Sequence, residues 1–127
     1  MVRRVALIIT FLVGLLGSPP AFAVPDWSVS LLPASGEIAG APGATIGWGY
    51  TITNLDVDAW LSLSGLNTDP FANGTALSLF DFPTLAPGDS VTVPFIADTL
   101  GLVQLTWDLT APAGAVNTGA FLLSGEW

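Results

Sequence analysis

The stretch GATIGWGYTITN, residues 43–54, alternates large apolar side chains with small ones. The large ones occupy every second position and are Ile46, Trp48, Tyr50 and Ile52. A period of two is the pattern of a β-strand that buries one face, because successive side chains point to opposite sides of a sheet. We therefore predict that this segment is a core strand whose large side chains point inward.

Gly47 and Gly49 fall on the opposite face of the same predicted strand. A glycine has no side chain, so another part of the molecule can approach its backbone closely. That approaching group is either a ligand or a neighbouring aromatic ring of the same chain. We predict the aromatic ring.

The rest of the chain repeats this alternation between turn-forming residues. Ten prolines and fourteen glycines divide the sequence into short segments. The segments with a period of two are Trp27–Leu32, Ala44–Thr53, Ala59–Leu66, Asp89–Phe95, Leu102–Thr110 and Gly119–Trp127, and Ala76–Phe82 is a strand or an extended crossover. About seven short strands in one domain predict an all-β fold, an immunoglobulin-like antiparallel β-sandwich preceded by a signal peptide. Pro94 lies inside one predicted strand, which indicates an edge strand or a bulge because proline cannot donate to a ladder.

The first residues, 1–23, have the three parts of a bacterial secretory signal peptide. Arg3 and Arg4 form the basic start, an apolar run follows, and small residues precede a cut after Ala23. The apolar run is shorter than the ~20 residues that span a bilayer as a helix. We predict export and cleavage, in preference to an uncleaved anchor, so that the domain covers residues 24–127 without a membrane span.

Arg3 and Arg4 are also the only basic side chains, and all ten carboxylates follow the predicted cut. The mature chain therefore carries a formal charge of −10, which is the whole-chain −8 less two arginines. Nucleic acids and anionic lipid surfaces are bound mainly through Lys and Arg, so we exclude both as partners. Stability must come from apolar burial and hydrogen bonds.

The residue inventory excludes most catalysis as well. The chain has no His, Cys or Lys, so it lacks Ser-His and Cys-His pairs, an amine nucleophile and the usual phosphate-binding loop. Carboxylate-pair chemistry of the glycosidase type is the alternative that remains. Because a domain of about 100 residues offers no deep cleft, we predict that the protein is not an enzyme.

Asn54, Asp56 and Asp58 follow the opening strand at alternate positions. Hard oxygen ligands on a turn suit Ca²⁺, so calcium is the one cofactor to consider, as in a calcium-dependent adhesion domain. The same residues are typical of a turn that caps its own amides. The further ligands of an EF-hand loop are missing, and we therefore expect no metal or other cofactor.

Trp60 alternates with Leu61 and Leu63, so its ring cannot share their core face. Exposed aromatic rings form flat platforms on which sugars stack. Trp60 is therefore the candidate ligand-binding residue of a carbohydrate-binding module. The alternative is that its ring covers an edge of the core.

Four phrases cover about residues 40–127 in this order: PGATIGWGYTITN, WLSLSGLNTDPFANGT, LFDFPTLAPGDSVTVPF and GLVQLTWDLTAPAGAVNTGAFLLSGEW. Together they resemble the exported domain of bacterial surface proteins of the PEP-CTERM, exosortase-sorted class. The resemblance implies an acidic protein that is secreted or held at the cell surface and associated with exopolysaccharide, biofilm or surface assembly. It implies no particular site residue.

Proteins of that class are sorted by a Pro-Glu-Pro motif, an apolar helix and a basic end, which do not appear before Glu126 and Trp127. The last predicted strand lies at this end and leaves a sheet edge with no Lys to discourage pairing. We expect self-association through this edge strand.

These observations together predict a non-enzymatic structural module of the cell surface or extracellular matrix. Its expected partners are extracellular polysaccharide or other surface proteins. A carbohydrate-binding module and a calcium-dependent adhesion domain are the alternatives.

Overall fold

Nine β-strands in two antiparallel sheets make up the part of the chain that this computed structural model describes, namely the backbone of residues 4–13 and all of residues 27–127. The strands are β1 (Arg4–Val13), β2 (Trp27–Leu32), β3 (Thr45–Asn54), β4 (Leu61–Thr68), β5 (Gly74–Ser78), β6 (Thr84–Leu85), β7 (Ser90–Val93), β8 (Val103–Trp107) and β9 (Asn117–Glu126). The smaller sheet has the order β1-β9-β4-β6, and the larger has β2-β3-β8-β5 with β7 also paired to β3. The predicted all-β class is confirmed.

The two sheets pack face to face around one apolar core. Trp48 and Tyr50 of the larger sheet and Leu61 and Phe121 of the smaller sheet have no exposed surface. The rings of Trp48 and Phe121 meet edge to face, with centroids 5.1 Å apart, which is an arrangement that aromatic pairs favour. This packing is that of a β-sandwich, as predicted.

Strand β3, which contains the opening stretch, lies in the middle of the larger sheet. Strand β2 pairs along one of its edges, while β8 and β7 share the other edge. The inward-facing Trp48, Tyr50 and Ile52 are fully buried, and Ile46 packs against the same core. The prediction of a core strand is confirmed.

The outward face of β3 is joined to its neighbours by hydroxyl groups. These pairs are Thr45 with Thr106 at 3.1 Å, Thr51 with Thr92 at 3.0 Å and Thr53 with Ser90 at 2.8 Å. Cross-strand hydroxyl pairs stabilise a sheet without any charged group.

The glycines of β3 are covered by the chain itself. A Cβ atom at Gly47 would overlap the ring of Phe95 and lie 2.7 Å from the carbonyl oxygen of Val103. The aromatic cover predicted for Gly47 is therefore confirmed. At Gly49 the prediction is wrong in its detail, because the covering atoms belong to the backbone at Val93.

The strand bounds predicted from alternation are close to those observed, and Trp27–Leu32 is a strand as predicted. The predicted segment Ala76–Phe82 is strand only as far as Ser78. Strand β6 has two residues, too few to show a period in the sequence. Strand β7 ends immediately before Pro94, and among the described strands it pairs only with β3, so the predicted edge strand is confirmed.

The predicted signal peptide, residues 1–23, lies partly outside the described residues, and so does its predicted cut. Within it the structure describes the backbone of β1. This strand pairs antiparallel with β9 over its whole length, from Arg4 opposite Glu126 to Val13 opposite Asn117. Strand β1 thereby forms an outer edge of the smaller sheet.

Replacing Gly47 by Val should lower the free energy of unfolding by about 1–3 kcal/mol, because the added side chain must displace the ring of Phe95. Urea unfolding measured by tryptophan emission checks this. The control is Gly65→Ala, whose added Cβ meets its nearest atom, on Ser124, at an ordinary 3.4 Å. An unchanged urea midpoint for Gly47→Val would show that the ring of Phe95 does not cover Gly47.

Candidate functional site

The loop after β3 is built around the side chain of Asn54, which is fully buried. Its amide nitrogen donates toward three carbonyl oxygens, at 2.8 Å to Ala59 and 3.2 Å to both Leu85 and Ala86. Its amide oxygen accepts the backbone N–H of Asp56 at 3.0 Å. Asn54 thus ties the loop after β3 to the loop after β6, and it has a structural role.

The carboxylate of Asp56 caps the same loop. It accepts the backbone N–H groups of Asp58 at 2.8 Å and Ala59 at 2.9 Å. This is the self-capping turn that the sequence offered as the alternative to calcium. Asn54, Asp56 and Asp58 do lie close together, but within the described residues no group of three or more His, Cys, Asp or Glu side chains is placed to hold a metal ion.

Two further buried amide side chains fix loops in the same way. Gln104 exchanges hydrogen bonds with Asp98, accepting its backbone N–H at 2.6 Å and donating to its carboxylate at 2.8 Å. Asn117 does the same with the backbone of Ala72, at 2.7 and 2.9 Å. Sequence reasoning missed both residues, because the loops that they hold are known only from the fold.

The hydroxyl of the buried Tyr50 donates a hydrogen bond to the carboxylate of Asp81 at 2.8 Å. Burial raises the pKa of this phenol well above its usual value, and the hydrogen bond and negative charge of Asp81 raise it further. The ring of Phe80 packs edge to face against Tyr50 at 5.1 Å. The phenol therefore stays neutral and acts as an anchor for the segment after β5.

Trp60 is exposed to 60% of its surface, so the prediction that its ring lies outside the core is confirmed. It immediately precedes β4, in which Leu61 and Leu63 point inward. Ser62 points outward and its hydroxyl lies 3.3 Å from that of Thr84 on β6.

Glu126 of β9 lies directly opposite Ser62, so its side chain is on the same outer face. Two hydroxyls and a carboxylate thus share the outer face of the smaller sheet, and the exposed Trp60 immediately precedes the strand that carries Ser62. We call these four residues the Trp60 face: Trp60, Ser62, Thr84 and Glu126.

Two depressions in the described surface are small. One, of about 70 Å³, lies beside Trp107 and Pro112. Another, of about 210 Å³, lies between Asn67 and Leu122 on the smaller sheet. Both are below the ~300 Å³ at which small-molecule pockets begin. A flat surface is therefore the kind of site that these regions offer.

The part of the chain that the structure describes contains no helix with the length and apolarity needed to cross a membrane. Comparison of the chain with protein-family models, with curated proteins and with solved structures gives no match.

Replacing Asn54 by Ala should lower the free energy of unfolding by about 2–4 kcal/mol. The change removes the buried side-chain amide and leaves the carbonyl oxygens and the backbone N–H that it binds without this partner. Asp58→Ala, in the same loop but exposed, should change it by less than about 0.5 kcal/mol. Chemical denaturation of both variants checks the difference. Equal midpoints would contradict the structural role of Asn54.

The alkaline stability of the protein should depend on Tyr50 alone among the side chains, since it is the single tyrosine in a chain without Lys or Cys. Its pKa is higher in the folded state than in the unfolded state, where it is about 10. The contribution of Tyr50 to the free energy of unfolding should therefore be constant below this pH and fall above it. Tyr50→Phe should remove this fall, at a cost of about 1 kcal/mol at neutral pH for the lost hydrogen bond. Urea titrations between about pH 8 and pH 11 measure both effects, and an equal fall in the variant would contradict the assignment.

Proposed function

We propose that this chain is an exported, non-enzymatic structural module of a bacterial cell surface or extracellular matrix. The observation that carries the proposal is that polar side chains are hydrogen-bonded within the chain itself. Asn54, Asp56, Gln104 and Asn117 each hold a loop of the chain itself. Side chains that are engaged in this way stabilise a fold and are not presented to a substrate.

The charge and the sequence resemblance support the same proposal. The domain after the predicted cut is a polyanion with no basic side chain, and such a surface repels nucleic acid and anionic lipid. The resemblance to exported PEP-CTERM proteins suggests a matrix rich in exopolysaccharide. Within this proposal the sandwich is of the immunoglobulin-like type and residues 1–23 are its cleaved signal peptide.

A second candidate function is polysaccharide binding on the Trp60 face. The observation that favours it is the 60% exposure of a large aromatic ring, since indole rings are otherwise among the more buried side chains. The hydroxyls of Ser62 and Thr84 lie on the same outer face and are groups that also hydrogen-bond sugar hydroxyls. A flat face suits a polymer better than a small molecule.

One experiment separates the two functions. The exported chain is sedimented with the extracellular polysaccharide of its own host, and tryptophan emission is recorded over the same titration. A structural module whose partners are other proteins or further copies of itself gives no saturable binding from a folded sample. Saturable binding would contradict the structural proposal and support the second one. In that case Trp60→Ala should abolish the binding, while Leu109→Ala, which trims a side chain that is 85% exposed, should leave it unchanged.

A further inference from the structure

Without strand β1, which covers it in the structure, the outer edge of β9 would be the longest sheet edge in residues 27–127. Strand β9 has ten residues, whereas the edge strands β2, β5, β7 and β6 have six, five, four and two. Short strands, prolines and lysines are the means by which proteins prevent edge-to-edge pairing. Strand β9 contains no proline or lysine, and its single charge, Glu126, stands at its last position.

The backbone groups on this outer edge can be identified from Ala120. Its N–H donates to the carboxylate of Asp69 at 2.9 Å, and its carbonyl accepts the N–H of Asp69 at 3.2 Å. Asp69 directly follows β4, so Ala120 points both groups toward β4. Because backbone groups alternate along a strand, those of Phe121 and Leu123 point the other way, toward β1.

Strand β1 occupies this edge as an antiparallel partner along all ten residues of β9. It lies within residues 1–23, the segment that the proposed function removes on export. Cleavage would expose the N–H and C=O groups of Phe121 and Leu123, whose side chains are fully buried in the core. The inference below rests on that part of the proposed function.

We infer that the β9 edge of the exported domain is an interaction surface for the β9 strand of a second copy. The two strands pair antiparallel about a two-fold axis and join the two smaller sheets into one. The edge already accepts an antiparallel strand in the structure, and a two-fold axis generates that orientation from two identical strands.

The charges of β9 permit this pairing. With the axis near Phe121, the Glu126 carboxylates stand at opposite ends of the seam, about ten residues or ~34 Å apart. This separation exceeds the Debye length of ~10 Å at 0.1 M salt, so the two carboxylates do not oppose each other. The remaining repulsion is that of the whole domains, each of formal charge −10 after the cut, and salt screens it. The association therefore strengthens as salt is added.

The test uses the full chain, produced in an exporting bacterium and purified from the exported fraction. Mass spectrometry first gives its N-terminus. Sedimentation velocity at about 20 mM and about 0.5 M sodium chloride then gives its oligomeric state. Amide hydrogen exchange is followed residue by residue at low and high protein concentration.

A chain that begins near Val24 should form a dimer that is stronger in high salt. Exchange of the Phe121 and Leu123 amides should slow by about tenfold or more at high concentration, while that of Ala120 and Leu122 is slow throughout. Gly119→Pro, which removes an N–H on the same outer edge, should weaken the dimer. Ser64→Lys on β4 and Leu122→Lys on β9 each add one positive charge to the outer face of the smaller sheet. Because Leu122 lies one residue from the proposed axis, the two introduced lysines of a dimer would be diagonal neighbours about 7–8 Å apart and repel each other. Only the change on β9 should therefore weaken the dimer.

Three results would overturn the inference. A cleaved chain that stays monomeric overturns the pairing and leaves the proposed export intact. A dimer in which Phe121 and Leu123 exchange freely places the interface elsewhere. A chain that keeps residues 1–23 and protects both amides as a monomer overturns the inference together with the proposed cleavage.

Discussion

The absence of cationic side chains after Arg4 is the constraint on which the rest of the structure depends. No carboxylate in residues 27–127 can form an ion pair with a side chain of that domain, so its buried polar groups must be satisfied by hydrogen bonds in which the donor is a neutral group. The buried amides Asn54, Gln104 and Asn117 meet this need, each by holding one loop against the sandwich. Threonine and serine hydroxyl pairs do the same on the outer faces. Salt therefore has no internal ion pair to weaken in this domain, and it screens only the repulsion among carboxylates.

The same constraint limits how the domain can recognise anything. Asp56, Asp69, Asp81 and Asp98 accept hydrogen bonds from the chain's own N–H and O–H groups. Recognition by this domain then depends on interactions that need no positive charge, namely stacking on an aromatic ring and hydrogen bonding along a strand edge. The proposed sites for both lie on the smaller sheet, the first at the Trp60 face and the second at β9. The larger sheet is better protected, because its edge strands are short and its central glycines are covered by Phe95 and by the backbone at Val93.

The alternation of side chains was sufficient to predict the burial of Trp48 and the exposure of Trp60, because each depends on the period of a single strand. The same alternation, repeated in about seven segments, predicted the sandwich. It was not sufficient for features that depend on two distant segments. The partners of Asn54 at Leu85 and Ala86 lie more than thirty positions away, so a short run of Asn and Asp residues suggested calcium as readily as a capped turn. The cover over Gly49 is backbone, which carries no signature in the sequence. The sequence did not predict strand β1, because an apolar run is typical of both a signal peptide and a β-strand.

Geometry would couple the two proposed recognition sites of the smaller sheet. If two copies join along β9, their β4 strands lie three strand spacings apart, about 14 Å, within one sheet. The two-fold axis places the Trp60 rings near opposite ends of this sheet and on the same face, separated mainly along the strands by roughly 50 Å. A polymer long enough to span both rings gains an effective concentration in the millimolar range at the second ring, whereas a short oligosaccharide gains nothing. Under the second candidate function, dimerisation would therefore convert a weak single-ring contact into selective retention of long polysaccharide chains.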